Sequence, residues 1–202
     1  IIDMGWTATT IPEEFDGLGL GYLELCVIAE ELGRSLAPTP FSSSVYLATE
    51  AILKLGSEEQ HKNYLPKLAT GELIGTLAHS ETTTSPTEKN INCEIKDEQL
   101  TGTKIVVPDG DIADFAVVSA KEGDKTVLCI VDLKSEGVEI TTQNTLDPSR
   151  SHASFSFKNT QIKLLGSKEN TWDSLQEILE RAAVLFAFEQ LGGAEACMNM
   201  AK

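Results

Sequence analysis

The sequence predicts an α+β protein of more than one domain, with an all-α segment over residues 1–71, an all-β barrel or sandwich over 72–165, and a long helix over 166–202. Three observations predict it. Apolar residues recur at helical spacing up to about residue 71, fall to a period of two after it, and return to helical spacing past Gly166. The 202 residues, 41% of them hydrophobic, supply enough apolar surface for two cores.

The first helix is expected over 20–32, where Leu20, Leu23, Val27 and Ile28 mark its buried face. Glu30, Glu31 and Arg34 complete it, and Gly33 lies near its end. The glycine-rich run Gly17-Leu18-Gly19-Leu20-Gly21 follows a loop rather than a strand, so it reads as a turn into that helix. Pro38 and Pro40 break the chain before a second helix, 44–55, carrying Val45, Leu47, Ala48, Ile52 and Leu55. Ser57-Glu58-Glu59-Gln60 has the form of a capping box and opens a third, short helix toward Leu65-Pro66.

Strands are expected at 73–78, 103–107, 115–120, 127–133 and 151–157, spaced as in a sandwich or barrel. Asp109-Gly110-Asp111, Glu122-Gly123-Asp124, Glu136-Gly137 and Asp147-Pro148 supply turns. In the last strand Ala153, Phe155 and Phe157 share the inner face, and His152, Ser154 and Ser156 the outer one, which makes His152 an exposed histidine. The final helix can be capped by Thr171 or Ser174 and carries the stripe Leu175, Ile178, Leu179, Ala182, Phe186 and Glu189. Gly192-Gly193 would weaken it unless another helix approaches closely there. So long a stripe has no evident partner in the chain and is expected to be covered by further chain or another subunit.

Sixteen basic against 31 acidic residues give a net charge of -15, which argues against nucleic acid or an anionic membrane as partner. The excess is spread out, with ten acids to four bases in 1–71, fifteen to nine in 72–163 and six to three in 164–202, so it describes a surface and not a tail. Cys26, Cys93, Cys129 and Cys197 lie far apart with no histidine at ligand spacing, and read as buried thiols of a reducing compartment, with no metal site. No apolar run is long enough to insert in a membrane and the first residues lack a basic leader, so the cytoplasm or an organelle matrix is expected. His61, His79 and His152 fall in different elements, and no nucleophile elbow, P-loop or dinucleotide fingerprint is present.

Several runs nevertheless share order and spacing with one family. Ile11-Pro12-Glu13-Glu14-Phe15-Asp16-Gly17-Leu18-Gly19 followed by Ala29-Glu30-Glu31-Leu32-Gly33 resembles the opening of acyl-CoA dehydrogenases. Gly56-Ser57-Glu58-Glu59-Gln60 with Leu65-Pro66-Lys67-Leu68-Ala69-Thr70-Gly71-Glu72 resembles that family's exit into its β domain. Leu100-Thr101-Gly102-Thr103-Lys104 and Ala113-Asp114 resemble runs inside that domain. The resemblance implies that the last helix is the first of a carboxy-terminal helical bundle.

It also implies function: FAD held between the β domain and the carboxy-terminal helices, an acyl-CoA substrate, and removal of its α-proton by a glutamate while a hydride moves to flavin N5. An electron-transfer partner protein and a homo- or hetero-oligomer, dimer or tetramer, follow from the same likeness, as does a place in fatty acid or lipid degradation. No catalytic residue is assigned within 1–202; Glu189 and Glu195 read as solvated helix-face carboxylates. The family's first flavin strand falls on Ala78-His79-Ser80-Glu81, with Ser80 at the position that binds the pyrimidine edge and Leu77 and His79 flanking it; the loop after it, 82–86, lacks the family's glycines. Its second falls on Val106, Val107 and Pro108, where Val106 replaces an aromatic residue and Pro108 a hydroxyl donor near N5. These replacements leave a second reading open, a non-catalytic partner subunit in a hetero-oligomer, beside an acyl-CoA oxidase or flavin monooxygenase of the same fold.

Overall fold

The computed structural model describes residues 1–147, 149–167, 169 and 171–202. Three single turns, Ile2–Met4, Trp6–Ala8 and Glu13–Phe15, open the chain. The glycine-rich run folds back over them, its amides at Leu18, Gly19 and Leu20 donating to the carbonyls of Ala8, Ile11 and Thr9, each at 2.9 Å. Gly17 lies so close to Ile11 that a Cβ there would overlap the Ile11 carbonyl. The run is thus the turn its context implied, and it delivers the chain into helix α1, Tyr22–Arg34, whose Glu24 accepts from the Gly21 amide at 2.9 Å.

Helix α1 buries a different face from the one expected. Leu25, Cys26, Ala29, Leu32 and Gly33 face inward, while Leu23 and Val27 are 75% and 59% exposed. The inner face is small because another helix sits against it. Helix α2 follows, wound with π-type hydrogen bonding over Ser42–Thr49 and as an α-helix over Glu50–Leu55. The capping box forms before helix α3, Glu58–Ala69: the Gln60 amide donates to Ser57 Oγ at 3.2 Å and the Ser57 amide to Gln60 Oε1 at 2.9 Å.

Eight strands make one sheet: β1 Gly75–Ala78, β2 Glu94–Lys96, β3 Gln99–Pro108, β4 Phe115–Glu122, β5 Lys125–Asp132, β6 Val138–Gln143, β7 His152–Gln161 and β8 Lys163–Leu164. The five expected runs are all strands, and β2, β6 and β8 are additional. The order is β6-β7-β3-β2-β4-β5-β8, and β1 pairs with β4 off that path. The slot between β3 and β4 is therefore filled from two ends. Strand β1 enters beside Phe115–Val118 of β4 in parallel, and β2 enters beside Gln99–Thr101 of β3 antiparallel. The turn expected at Asp147-Pro148 includes Pro148, which lies outside the described residues.

Strands β4 and β5 are apolar almost throughout because they belong to two cores at once. Val117, Leu128 and Ile130 pack with the helices, whereas Ala116, Val118, Val127, Cys129 and Val131 pack with Phe155 and Phe157 inside the β layer. Helix α4, Thr171–Met200, lies on the first core and buries Leu175, Ile178, Ala182 and Leu185. Its stripe is thus covered by this chain, contrary to expectation, and Leu179 and Phe186 pack at its edge. Thr171 is already helical, so Thr171 and Ser174 both lie within the first turns rather than at a cap.

Helices α1 and α4 meet at glycines. A Cβ at Gly192 would overlap the Glu30 carbonyl oxygen, and one at Gly33 would overlap that of Glu189. The close approach expected at Gly192-Gly193 is therefore real, and its partner is α1. A second tie joins three helices: the buried Glu50 carboxylate on α2 accepts from the Tyr22 hydroxyl on α1 and from Arg181 on α4, whose guanidinium lies 5.3 Å from the Tyr22 ring centroid.

Candidate functional site

The sheet brings the two segments singled out from the sequence side by side. The chain leaving β1 continues along β3, where the Ile105 amide donates to the Ser80 carbonyl at 2.8 Å. Below it the Thr76 hydroxyl donates to the Pro108 carbonyl at 2.6 Å. Strand β3 carries a bulge here, its register against β7 shifting between Lys104 and Val107. Val106 takes up the extra residue with φ of 52° and is 52% exposed. A β-branched residue held in that conformation costs on the order of 1–3 kcal/mol, so the bulge is imposed by its surroundings.

The six residues divide by direction. Ser80, Val106, Pro108 and His79 are exposed or half-buried at this rim. Leu77 is buried in the helical core and Val107 in the β core, so their side chains anchor the rim and only their backbones reach it.

Beneath the rim lies a group that sequence reasoning passed over. Lys104 is fully buried, and its ammonium donates to the His79 carbonyl at 3.1 Å, to Ser119 Oγ at 3.1 Å and to Glu81 Oε1 at 2.7 Å. Three protons meet three acceptors. Glu81 is completed by the amides of Asn92 and Cys93 at 2.6 and 3.1 Å. Burial opposes ionisation of Glu81, but Lys104 and the two amides outweigh it and hold its pKa below the usual carboxylate range. His79 Nδ1 lies 2.9 Å from Ser119 Oγ, and its ring packs against Trp172 of α4 at 5.7 Å between centroids. Burial, with Lys104 adding to it, lowers the His79 pKa to about 4, so the ring is neutral at neutral pH. The signal was present in β3, where Leu100, Gly102 and Lys104 alternate onto one face with a buried leucine.

Expectations about Glu189, His152 and Cys197 need correction. Glu189 is not solvated: its side chain is 11% exposed and accepts from Arg150 at 2.6 Å, while Arg150 also donates to Ser42 Oγ at 2.8 Å. The buried Tyr46 hydroxyl is pushed up by burial and by the Glu189 charge. Glu195 stays well exposed on its helix face, where it is ion-paired with Arg34 on α1. His152 is half-buried rather than exposed, with Nδ1 lacking a hydrogen-bond partner among the described residues. Cys26, Cys93 and Cys129 are buried as expected, whereas Cys197, expected buried, is exposed near the end of α4.

Known proteins share this architecture. The N-terminal domain of acyl-CoA dehydrogenases matches residues 1–72. The mitochondrial isovaleryl-CoA dehydrogenase of Solanum tuberosum is 36% identical over 118 residues, 55% of this chain and 29% of that protein. The ChsE4-ChsE5 complex of Mycobacterium tuberculosis superposes with a TM-score of 0.84 at 25% identity, covering 98% of this chain and 54% of that one. A glutaryl-CoA dehydrogenase of Mycobacterium smegmatis, solved in complex with FADH2, shares the fold with a TM-score of 0.87 at 21% identity over 96% of this chain and 53% of that one. The chain thus spans about half the length of these structures. Among the described residues no helix is long and apolar enough to cross a membrane. The first 72 residues thus carry the N-terminal domain of acyl-CoA dehydrogenases, and the β layer and last helix share the fold of proteins similar to that family.

Proposed function

We propose that the protein is a FAD-dependent acyl-CoA dehydrogenase-like oxidoreductase that forms an α,β double bond in an acyl-CoA thioester. The observation that carries this reading is the hydrogen bond from the Ile105 amide to the Ser80 carbonyl, which joins the two segments where the family resemblance implies flavin contact. The residues fit such a group at its polar edge, because the Ser80 hydroxyl and the His79 imidazole offer adjacent donors. Val106 adds an exposed apolar surface beside them. When bound, FAD supplies the hydride acceptor.

In this reading Ser80 donates to the flavin's polar edge and Val106 lies against the ring. Leu77 and Val107, each fixed in a core, keep the two strand ends at constant separation. Pro108 has no amide hydrogen, and its carbonyl is taken by Thr76. Acyl-CoA is the substrate, its α-proton passing to a base outside residues 1–202. An electron-transfer partner, an oligomeric state, a matrix or cytoplasmic location and the division at 71/72 and 165/166 belong to the same proposal.

A specific observation favours a second reading. Val106 and Pro108 lack the aromatic and hydroxyl groups expected there, and one similar structure is a complex of two named subunits, ChsE4 and ChsE5. A non-catalytic partner subunit would have these features. The test is flavin absorbance and the FAD dissociation constant of the full-length protein, wild type and Val106→Trp/Pro108→Thr, each purified with excess FAD. The enzyme reading expects a yellow wild type, bound tighter by roughly ten- to a hundredfold in the double variant. Two colourless proteins would favour the partner subunit. Tight FAD in the wild type with no gain on substitution would refute the assignment of Val106 and Pro108 to the ring.

A further inference from the structure

The group beneath the rim fixes more than the strand. Ser119 is fully buried on β4, and its Oγ already accepts a proton from the Lys104 ammonium. Its own hydroxyl hydrogen needs an acceptor, because an unmet donor in a dry site is costly. Among the described residues the only other partner of that Oγ is His79 Nδ1. If Nδ1 carried a proton as well, two donors would crowd one oxygen and the serine hydrogen would have no acceptor. The order of donation is therefore Lys104 to Ser119 to His79 Nδ1. This leaves the imidazole proton on Nε2.

We propose that His79 is a fixed hydrogen-bond donor, its tautomer set by Lys104 and Ser119, which presents Nε2–H to an acceptor atom of the group bound beside Ser80. The inference rests on the flavin reading, in which that atom belongs to the isoalloxazine ring. The groups around His79 agree with a single protonation state. On β3 stands the Lys104 cation and after β1 the Glu81 anion paired with it; Ser119 on β4 and Trp172 on α4 are neutral. The ammonium opposes a second positive charge on the ring, and burial adds to this.

The experiment has two arms on the full-length protein. Nitrogen-15 NMR of the histidine rings should find His79 protonated at Nε2 alone, with no titration between about pH 5 and 8. Ser119→Ala should give a mixture of tautomers. In the second arm FAD affinity is compared for wild type, His79→Phe and His79→Gln. The phenylalanine should weaken FAD by roughly three- to tenfold, the value of one hydrogen bond, and glutamine should restore most of it. A proton on Nδ1 in the wild type overturns the relay. FAD bound equally by wild type and His79→Phe overturns the donor role while the flavin reading stands. A wild type that takes up no FAD overturns the flavin reading and the donor role together, and the NMR result then decides the relay alone.

Discussion

At His79 a single proton links the site to stability. Its pKa falls from an ordinary 6.5 to about 4 in the fold, so the unfolded chain takes up a proton at higher pH than the native one. The stability this contributes is complete above about pH 6.5 and is lost as pH falls through the window toward 4. Urea midpoints measured from about pH 7 down to 5 should decline more steeply in wild type than in His79→Gln, which cannot titrate there. Glu81, whose pKa is also lowered, acts below the ordinary carboxylate range in both proteins and cancels from the comparison. Beside it, Lys104→Met should cost about 3–5 kcal/mol by denaturation, because it strands the Glu81 carboxylate and leaves Ser119 and the His79 carbonyl without their donor. A loss under about 1 kcal/mol would mean that water or another cation replaces the ammonium. The sequence made Lys104 visible as part of a family run and as an inward position of a strand; its three partners come from residues up to 25 positions away and could not be read from it.

Among the elements, helix spacing was legible and helix facing was not. The period placed α1 correctly, yet the large residues Leu23 and Val27 turned outward and Ala29 and Gly33 inward. Hydrophobic spacing weights large side chains, whereas two helices touching through their backbones select small ones. The contrast gives a test at adjacent positions of α4. Gly192→Ala puts a methyl into the Glu30 carbonyl and should destabilise by about 1–3 kcal/mol. Gly193→Ala meets nothing closer than 3.5 Å and should stabilise by up to about 1 kcal/mol through helix propensity. Thermal or chemical denaturation of the pair checks it, and equal effects would rule out the close contact as the cause. Strands β4, β5 and β7 were read because they alternate or are continuously apolar. Strand β6 escaped because it is exposed along most of its length at the sheet edge, and β8 because two residues carry no period. The π-wound start of α2 left no mark in the sequence, since its hydrogen-bond shift changes no residue type.

For the whole molecule, the candidate site was legible only through family resemblance. Ser80 meets Ile105, the neighbour of Val106, because β1 is held in register by β4, farther along the chain, and no local pattern announces that pairing. The long-range ties run further still. Arg34 at the end of α1 bonds Glu195 on α4, 161 residues later. During synthesis the inner face of α1 therefore waits for α4: at 5–20 residues per second the delay is roughly eight to thirty seconds. Throughout that time Leu25, Cys26, Ala29 and Leu32 lack their final cover, and the whole β layer forms in the interval. Ribosome-stalled chains ending before Gly192 should thus stay open to protease within α1, and chains long enough to free α4 from the exit tunnel should become resistant there. Early protection of α1 would show that the helices ahead of the sheet close on their own. Of the helices α1 to α4, α1 leaves the ribosome first and waits longest for its cover, a natural place for a chaperone to hold the growing chain.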